Sequence, residues 1–396
     1  MVNARLITLG SLLAILLAMP LTDAQNAAIS NSYIVKIKEG ADYTKVDQFL
    51  KTKLDQYNRG RSGSNSLKNE LKNQFNLENF NAYSGTLSEA LVSELKTNSD
   101  VEYVEAEKIF TVSGVQNNPP SWGLTRISQR ALNINAPYKY PGRAGEGVDV
   151  YIIDSGINFR HVDFEGRASL PVSFITGEAV DDLHGHGTHV AGTVGGASYG
   201  VAKKVKLIGV KVISGDGSGT TSGIISGINW VAKQAKASGR KSVANMSLAG
   251  DDSEALKQAV NAAVRAGVSF IVGAGNDSKD ACSVSPANAR LAFTVGATNS
   301  TDKAASFSNY GKCVKLFAPG QEITSAWVGS TSASHKGSGT SMATPHVAGV
   351  AALYLSQGGL HSPAQVYAAL VSRATRNVII GLKGTTPNLL VFNSNH

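Results

Sequence analysis

Reactive side chains sit among glycines in three short segments of this 396-residue chain. The first, Ile152-Ile153-Asp154-Ser155-Gly156, puts a carboxylate directly after an apolar, β-branched run, where a buried strand would end. The second, Leu183-His184-Gly185-His186-Gly187-Thr188-His189-Val190-Ala191-Gly192, holds three of the eight histidines. It reads as an imidazole base ahead of a helix, as a metal site built by His184, His186 and His189, or as a solvated loop with one core histidine; spacing alone leaves the three comparable. The third, Gly337-Ser338-Gly339-Thr340-Ser341-Met342-Ala343-Thr344-Pro345-His346-Val347-Ala348-Gly349, runs from glycines into a helix starting near Ser341. A serine there is either a helix cap or a nucleophile beside unpaired N–H groups and a positive dipole end. Singly, each segment has a plain structural reading. Together, Asp, His and Ser in that chain order are one known arrangement of a nucleophilic triad. A serine hydroxyl needs an imidazole to take its proton, and the imidazole needs a buried carboxylate to hold its tautomer and stabilise its cation.

The surrounding elements fit that demand. Beyond Trp122, apolar runs at 148–153, 205–212, 243–248 and 268–272 alternate with helical spacing at 187–195, 222–237 and 253–266. Such alternation predicts a doubly wound, mostly parallel α/β sheet covered on both faces, with ligands at the carboxyl ends of its strands. Residues 32–111 read differently. Strands are expected at 33–38 and 101–112, helices at 45–56 and at 88–96 capped by Ser88, and a strand pair over 80–87 turning at Ser84-Gly85. That order, β-α-β-β-α-β, predicts a small α+β ferredoxin-like module. Residues 113–121, rich in Asn, Pro, Gly and Ser, are expected to be a linker. Residues 1–24 carry Arg5, an apolar run from Leu6 to Ala18 and small residues at Thr22-Asp23-Ala24, the pattern of a removable secretory signal.

Composition narrows the function further. Apolar residues make up 42% and charged residues 17%, so a mostly disordered chain is excluded. The chain carries 37 Lys and Arg against 29 Asp and Glu, and all of the excess lies beyond residue 114. Those basic residues are scattered apart from Lys203-Lys204-Val205-Lys206, and no aromatic-rich basic strand accompanies them, so no nucleic-acid partner is expected. No stretch after the N-terminus approaches the ~20 apolar residues of a membrane span, and no membrane partner is expected.

In its three reactive segments the sequence resembles the subtilases, and within them the proteinase K-like, fungal-type secreted serine endopeptidases. The matching stretches are Asp154-Ser155-Gly156-Ile157, the run from Gly185 to Gly192 and the run from Gly339 to Gly349, supported by Trp122-Gly123-Leu124-Thr125-Arg126-Ile127-Ser128 and Ser306-Phe307-Ser308-Asn309-Tyr310-Gly311. The likeness covers about residues 116–390, and residues 32–112 look like the family's inhibitory propeptide. It implies a signal at 1–24, an inhibitory propeptide at 25–114 and a peptidase domain at 115–396. It implies Asp154 as orienting carboxylate, His186 as general base and acid, and Ser341 as nucleophile, which leaves His189 structural. Gly273-Ala274-Gly275-Asn276 matches the oxyanion segment, so Asn276 would donate to the oxyanion beside the Ser341 N–H. In subtilisin, removing that donor costs about 10²–10³ in turnover.

The resemblance also places substrate-pairing edges at Gly217-Ser218-Gly219 and at Ser247-Leu248-Ala249-Gly250. Between Ser247, Leu248 and Ala249 on one side and Gly273, Ala274 and Gly275 on the other it expects a pocket for large apolar or aromatic side chains. Lys315 stands where relatives place a calcium-binding aspartate, with Arg290 and Ala292 at the associated carbonyl positions, and Arg130 replaces a small polar residue at a second site. No cofactor is required by the chemistry; calcium at the usual position is not expected, and structural calcium elsewhere stays open. Val190 stands where some relatives carry a free cysteine. Cys282 and Cys313 are expected to form a disulfide, as an even count in a secreted chain suggests. Of three N-glycosylation patterns, at Asn245, Asn276 and Asn299, only Asn299 suits a glycan. The expected partners are protein or peptide substrates and the chain's own propeptide, acting as inhibitor and chaperone, on a monomeric enzyme.

Overall fold

The computed structural model describes residues 28–59, 67–108 and 113–393. The expected signal at 1–24 lies outside them, as does the last part of the strand expected over 101–112. The chain divides into two compact units, Met1–Ile109 and Phe110–His396.

The first unit runs β1 (Ala28–Ile37), α1 (Tyr43–Asn58), β2 (Glu70–Leu77), β3 (Phe80–Thr86), α2 (Glu89–Leu95) and β4 (Val101–Lys108). Its sheet has the order β2-β3-β1-β4, and neighbouring strands are antiparallel. The alternation read in residues 33–38 puts Val35 and Ile37 into a small core with Leu50, Tyr83, Leu91 and Leu95. The expected β-α-β-β-α-β order is present. The turn expected at Ser84-Gly85 is not: both residues lie inside β3, and the chain turns at Glu78-Asn79, with Asn79 at φ 61°. Gly85 is small because the Glu70 carbonyl of β2 passes where a Cβ would stand, and a strand glycine marks such an approach as readily as a turn. Ser88 precedes α2, but its side chain makes no capping bond.

The second unit runs β5 (Ser113–Gln116), α3 (Trp122–Ile127), β6 (Tyr138–Pro141), β7 (Val148–Asp154), β8 (Ala168–Ser173), α4 (His186–Gly195), β9 (Lys206–Lys211), α5 (Thr221–Ser238) and β10 (Lys241–Met246). It continues with α6 (Glu254–Arg265), β11 (Ser269–Gly273), β12 (Phe293–Thr298), β13 (Leu316–Pro319), β14 (Ile323–Ala326), β15 (Ser334–Gly337), α7 (Thr340–Ser356), α8 (Pro363–Arg373), β16 (Thr375–Arg376) and β17 (Leu389–Leu390). Residues 113–116, expected to open a linker, instead pair with β6 as a strand.

Nine strands form one sheet in the order β16-β17-β13-β12-β11-β10-β7-β9-β8. Its pairs are parallel except β16 with β17. Every residue of β7 is buried, and the strand is apolar apart from Asp149, whose carboxylate accepts from Arg240 Nε at 2.7 Å, and the terminal Asp154. Val148, Val150 and Ile152 pack with Val190 of α4 and Val347 of α7, while Tyr151 and Ile153 pack with Ile228 of α5 and Val260 of α6. Each such side chain contributes roughly 1.5–3 kcal/mol on burial. Strand β9 lies on one side of β7 and β10 on the other, so the connections part at β7 and open a crevice at its carboxyl end. Cys282 and Cys313 form a disulfide with Cα atoms 5.3 Å apart; closing a loop of 31 residues contributes on the order of 3 kcal/mol in the chain-entropy view.

Candidate active site

Asp154 is the last residue of β7 and is buried. Its Oδ1 accepts a hydrogen bond from the Ser155 N–H and another from His186 Nδ1, each at 2.7 Å. A carboxylate can only accept, so Nδ1 carries the proton and Nε2 is left as a base. His186 is the first residue of α4, half-exposed beside the cleft. Ser341 stands in the first turn of α7, a helix in which every other residue is buried. A helix apolar on all sides belongs in a core, and Ser341 is the one position where it opens outward. The Ser341 hydroxyl donates to the Ser247 carbonyl at 3.0 Å, and the Ser247 hydroxyl donates back to the Ser341 carbonyl at 3.0 Å. This pair fastens the end of β10 to the start of α7.

Asn276 follows β11. Its Oδ1 accepts from the Thr340 N–H at 2.8 Å and the Thr340 hydroxyl at 3.0 Å. With the oxygen held by Thr340, the amide's N–H₂ end is left for a ligand. The Ser341 N–H, in the first turn of α7, has no acceptor within its own helix. A single crevice of about 790 Å³ has Asp154, His186, Asn276 and Ser341 in its wall.

The electrostatics around His186 have two opposed causes. Burial disfavours the imidazolium, but the charge and hydrogen bond of Asp154 and the charge of Asp182 outweigh it, holding the pKa above the ordinary 6.5. Asp182 was not among the sequence candidates. It is buried, and its carboxylate accepts from the Ser155 hydroxyl, the Gly185 N–H and the Thr188 N–H, each at 2.8 Å, and from the Thr188 hydroxyl at 2.5 Å. It therefore ties the turn after β7 to the start of α4, the two pieces that carry Asp154 and His186. The only signal for it in the sequence is an acidic residue four places before His186.

Gly217 and Gly219 line the crevice. Ser218 is used up inside its own turn, its carbonyl accepting from the Ser214 N–H and its N–H donating to Asp216. Ser247, Leu248 and Ala249 line the opposite wall, and Gly250 does so while bridging to Ser285. Gly273, Ala274 and Gly275 are buried one layer behind the wall, and Asn276 and Asp277 form its surface. Apolar cover comes from Ile213, Ile224, Leu248 and Leu256, and the wall also carries Asp251, Asp252 and Asp277. Asp252 pairs with Lys257 at 2.9 Å and Asp277 with Lys279 at 3.2 Å.

The three histidines of the second segment do not converge. His189 points its Nε2 at the carbonyls of Ile323 and His335, 2.9 and 3.2 Å away, and burial pushes its pKa down to about 4. Among the described residues, no three of His, Cys, Asp and Glu come together as metal ligands. Arg130 donates to the Arg373 carbonyl at 2.9 Å and lies over the Phe392 ring. Lys315 is half-buried and its N–H pairs with the Thr294 carbonyl. Asn245 is fully buried, and Asn299 sits in a turn closed by its Oδ1 accepting from Thr301 and Lys303. No helix of the described residues is long and apolar enough to cross a membrane.

Comparison with known proteins agrees with this geometry. Residues 145–389 match the model of the Subtilase family, and residues 32–113 match that of the peptidase inhibitor I9. The chain is 41% identical to alkaline protease 1 of Aspergillus clavatus, covering 99% of this chain and 98% of that protein. It is 43% identical to the subtilase-type proteinase psp3 of Schizosaccharomyces pombe, covering 95% and 86%. A crystal structure of a cold adapted subtilisin-like serine proteinase aligns at TM-score 0.65 and 50% identity, covering 69% of this chain and 97% of that one. The chain belongs to the Subtilase family and is a subtilisin-like serine protease carrying an I9 inhibitor propeptide.

Proposed function

We propose that Ser341 is the nucleophile of this protease, His186 its general base and acid, Asp154 the orienting carboxylate, and Asn276 with the Ser341 N–H the oxyanion donors. The observation that carries the reading is the single crevice into which residues 154, 186, 276 and 341 all open, with the Asp154–His186 bond already made at 2.7 Å. Ser341 Oγ attacks the scissile carbonyl carbon while its proton passes to His186 Nε2. The oxyanion is met by Asn276 Nδ2 and the Ser341 N–H. The C–N bond breaks as His186 returns the proton to the leaving amine, and water, activated by His186, then releases the acyl group from Ser341.

The substrate class follows from the walls. The backbones of Leu248 and Ala249 on one side, and of Gly217 and Gly219 on the other, suit an extended peptide adding itself between two edges, which binds with little regard to sequence. Ile224, Leu248 and Leu256 favour a large apolar or aromatic side chain before the cut bond. Broad endopeptidase action on unfolded chains is the resulting activity. The reading extends to secretion behind residues 1–24, a monomeric mature enzyme beginning near Val115 or Gln116 through its own cut, and a glycan at Asn299. It also extends to activity that needs no calcium at Lys315, where an ammonium replaces the anionic ligand.

The deciding experiment compares wild type with Ser341→Ala by N-terminal sequencing and by labelling with a fluorophosphonate. Wild type should be cut near Val115 and labelled, with activity retained in a chelator. Ser341→Ala should be an uncut, unlabelled precursor. Labelling of the variant, or its cleavage in cis at the natural junction, would sink the reading.

A further inference from the structure

Asn309 grips the loop that carries Asn276 from behind. It is fully buried. Its Nδ2 donates to the Ala274 carbonyl at 2.9 Å, and its Oδ1 accepts from the N–H groups of Asp277 at 3.0 Å and Lys279 at 2.9 Å. Its own N–H donates to the Gly275 carbonyl at 3.0 Å. These bonds seize the loop on both sides of Asn276. Gly275 has φ +98°, and a Cβ there would collide with Asn309 Nδ2, so the close passage of the side chain beneath the loop requires glycine. Asn309 also borders a cavity of about 410 Å³ together with Ser308, Tyr310 and Phe317.

We propose that Asn309 is a positioning residue for transition-state stabilisation. It sets the level of residues 274–279 and thereby the aim of Asn276 Nδ2. The inference rests on the reading of Asn276 as oxyanion donor. Only an amide serves, because the position needs a donor toward Ala274 and an acceptor toward Asp277 and Lys279 on one planar group. Asn309 is not in the wall of the crevice and is fully buried behind it, out of reach of a peptide lying there. Its loss therefore falls on an interaction made only in the transition state, which lowers kcat and spares KM.

The test is a double-mutant cycle on the mature enzyme, with active sites counted by exhaustive fluorophosphonate labelling. Asn276→Ala should lower kcat by about 10²–10³. Asn309→Ala should lower kcat by about tenfold or more, since small misplacements of a catalytic group cost that much, with KM changed by less than about twofold. In the Asn276→Ala background, Asn309→Ala should change kcat by less than about twofold, because no donor remains to be aimed. The isosteric Asn309→Asp keeps the acceptor and loses the donor, so its kcat should fall between wild type and Asn309→Ala. If Asn309→Ala does not fold, Asn309→Asp takes its place in the cycle. Equal losses in both backgrounds, a loss confined to KM, or an unchanged kcat would overturn the inference. An unchanged kcat in Asn276→Ala would instead overturn the oxyanion reading itself.

Discussion

Helices α4 and α7 both begin at the crevice, both bring a reactive side chain there in their first turn, and both carry a buried histidine further along. Their N-termini are treated in opposite ways. At α4, the Asp182 carboxylate takes the Gly185 and Thr188 N–H groups, and Asp154 takes the ring of His186. At α7 no acidic residue stands in the first turn, and the Thr340 N–H goes to the neutral oxygen of Asn276. A helix start carries about half a positive charge. Carboxylates cancel it where a cation must form on His186. It is left uncancelled where an oxyanion would sit. On the proposed mechanism the same element would serve a proton acceptor at one site and an anion receptor at the other, and the difference lies in which charges the neighbouring loops deliver.

The largest effect expected from disturbing that contrast comes at Asp154. Asp154→Asn presents His186 with an amide that can donate to Nδ1 and so favours the wrong tautomer. A kcat loss of about 10⁴ is expected, the size this change has in other Ser-His-Asp proteases rather than a figure read from this chain. Steady-state kinetics on unlabelled enzyme, normalised to the number of sites counted by labelling a separate portion, measure it, and a loss under tenfold would mean that α4 does not depend on its carboxylates. Asp182→Asn should cost less, about 10–10² in kcat/KM. It keeps the shape but cannot accept from both Thr188 donors and the Ser155 and Gly185 donors together. Because Asp182 also raises the pKa of His186, the acid limb of the kcat/KM profile should move to lower pH in the variant. In wild type that limb should lie above 6.5, with activity lost as pH falls through it. An unmoved limb would show that Asp182 acts on geometry alone.

How much of this was legible in the sequence depends on how local the cause is. Asp154, directly after the apolar residues 150–153, and Ser341, after glycines and before an apolar helix, were visible because burial and helix starts leave their mark within a few residues. The β-α-β-β-α-β order was legible for the same reason, but not the place of its second strand: the pair was expected within 80–87, whereas β2 occupies Glu70–Leu77 and β3 alone fills Phe80–Thr86. The resemblance supplied Asn276 and the pairing of Cys282 with Cys313. Periodicity says nothing about partners brought in by other loops. Asp182 reaches Ser155 across 27 positions and Asn309 reaches Ala274 across 35. Asp182 sits in no pattern that marks it, and the Ser306–Gly311 stretch that supports the resemblance gives Asn309 no role, since each acts by bonds to loops from different strands. Ser218 lies in the stretch that the resemblance assigns to a substrate edge, and its backbone bonds to Ser214 and Asp216 are visible only in the fold.

The smallest effect expected concerns the buried histidine further along each helix, where α4 and α7 should behave alike. Burial pushes His189 and His346 each down to about 4, and each is kept neutral with one nitrogen donating to a carbonyl, His346 Nδ1 to Met342 at 2.8 Å. In the unfolded chain both return to about 6.5. The unfolded state then binds more protons over that interval, so stability is full above about 6.5 and falls as pH drops toward 4. At pH 5.5 each histidine should shift the folding equilibrium by about tenfold toward the unfolded state. Thermal unfolding of Ser341→Ala protein, which cannot digest itself, measures this as a Tm that declines between pH 6.5 and 4. Adding His346→Gln should remove about half of that decline, because His189 still titrates. A decline of the same steepness with and without His346 would mean that the two helices differ at their buried histidines as well as at their starts. The contrast between them would then reach beyond the charges around the crevice.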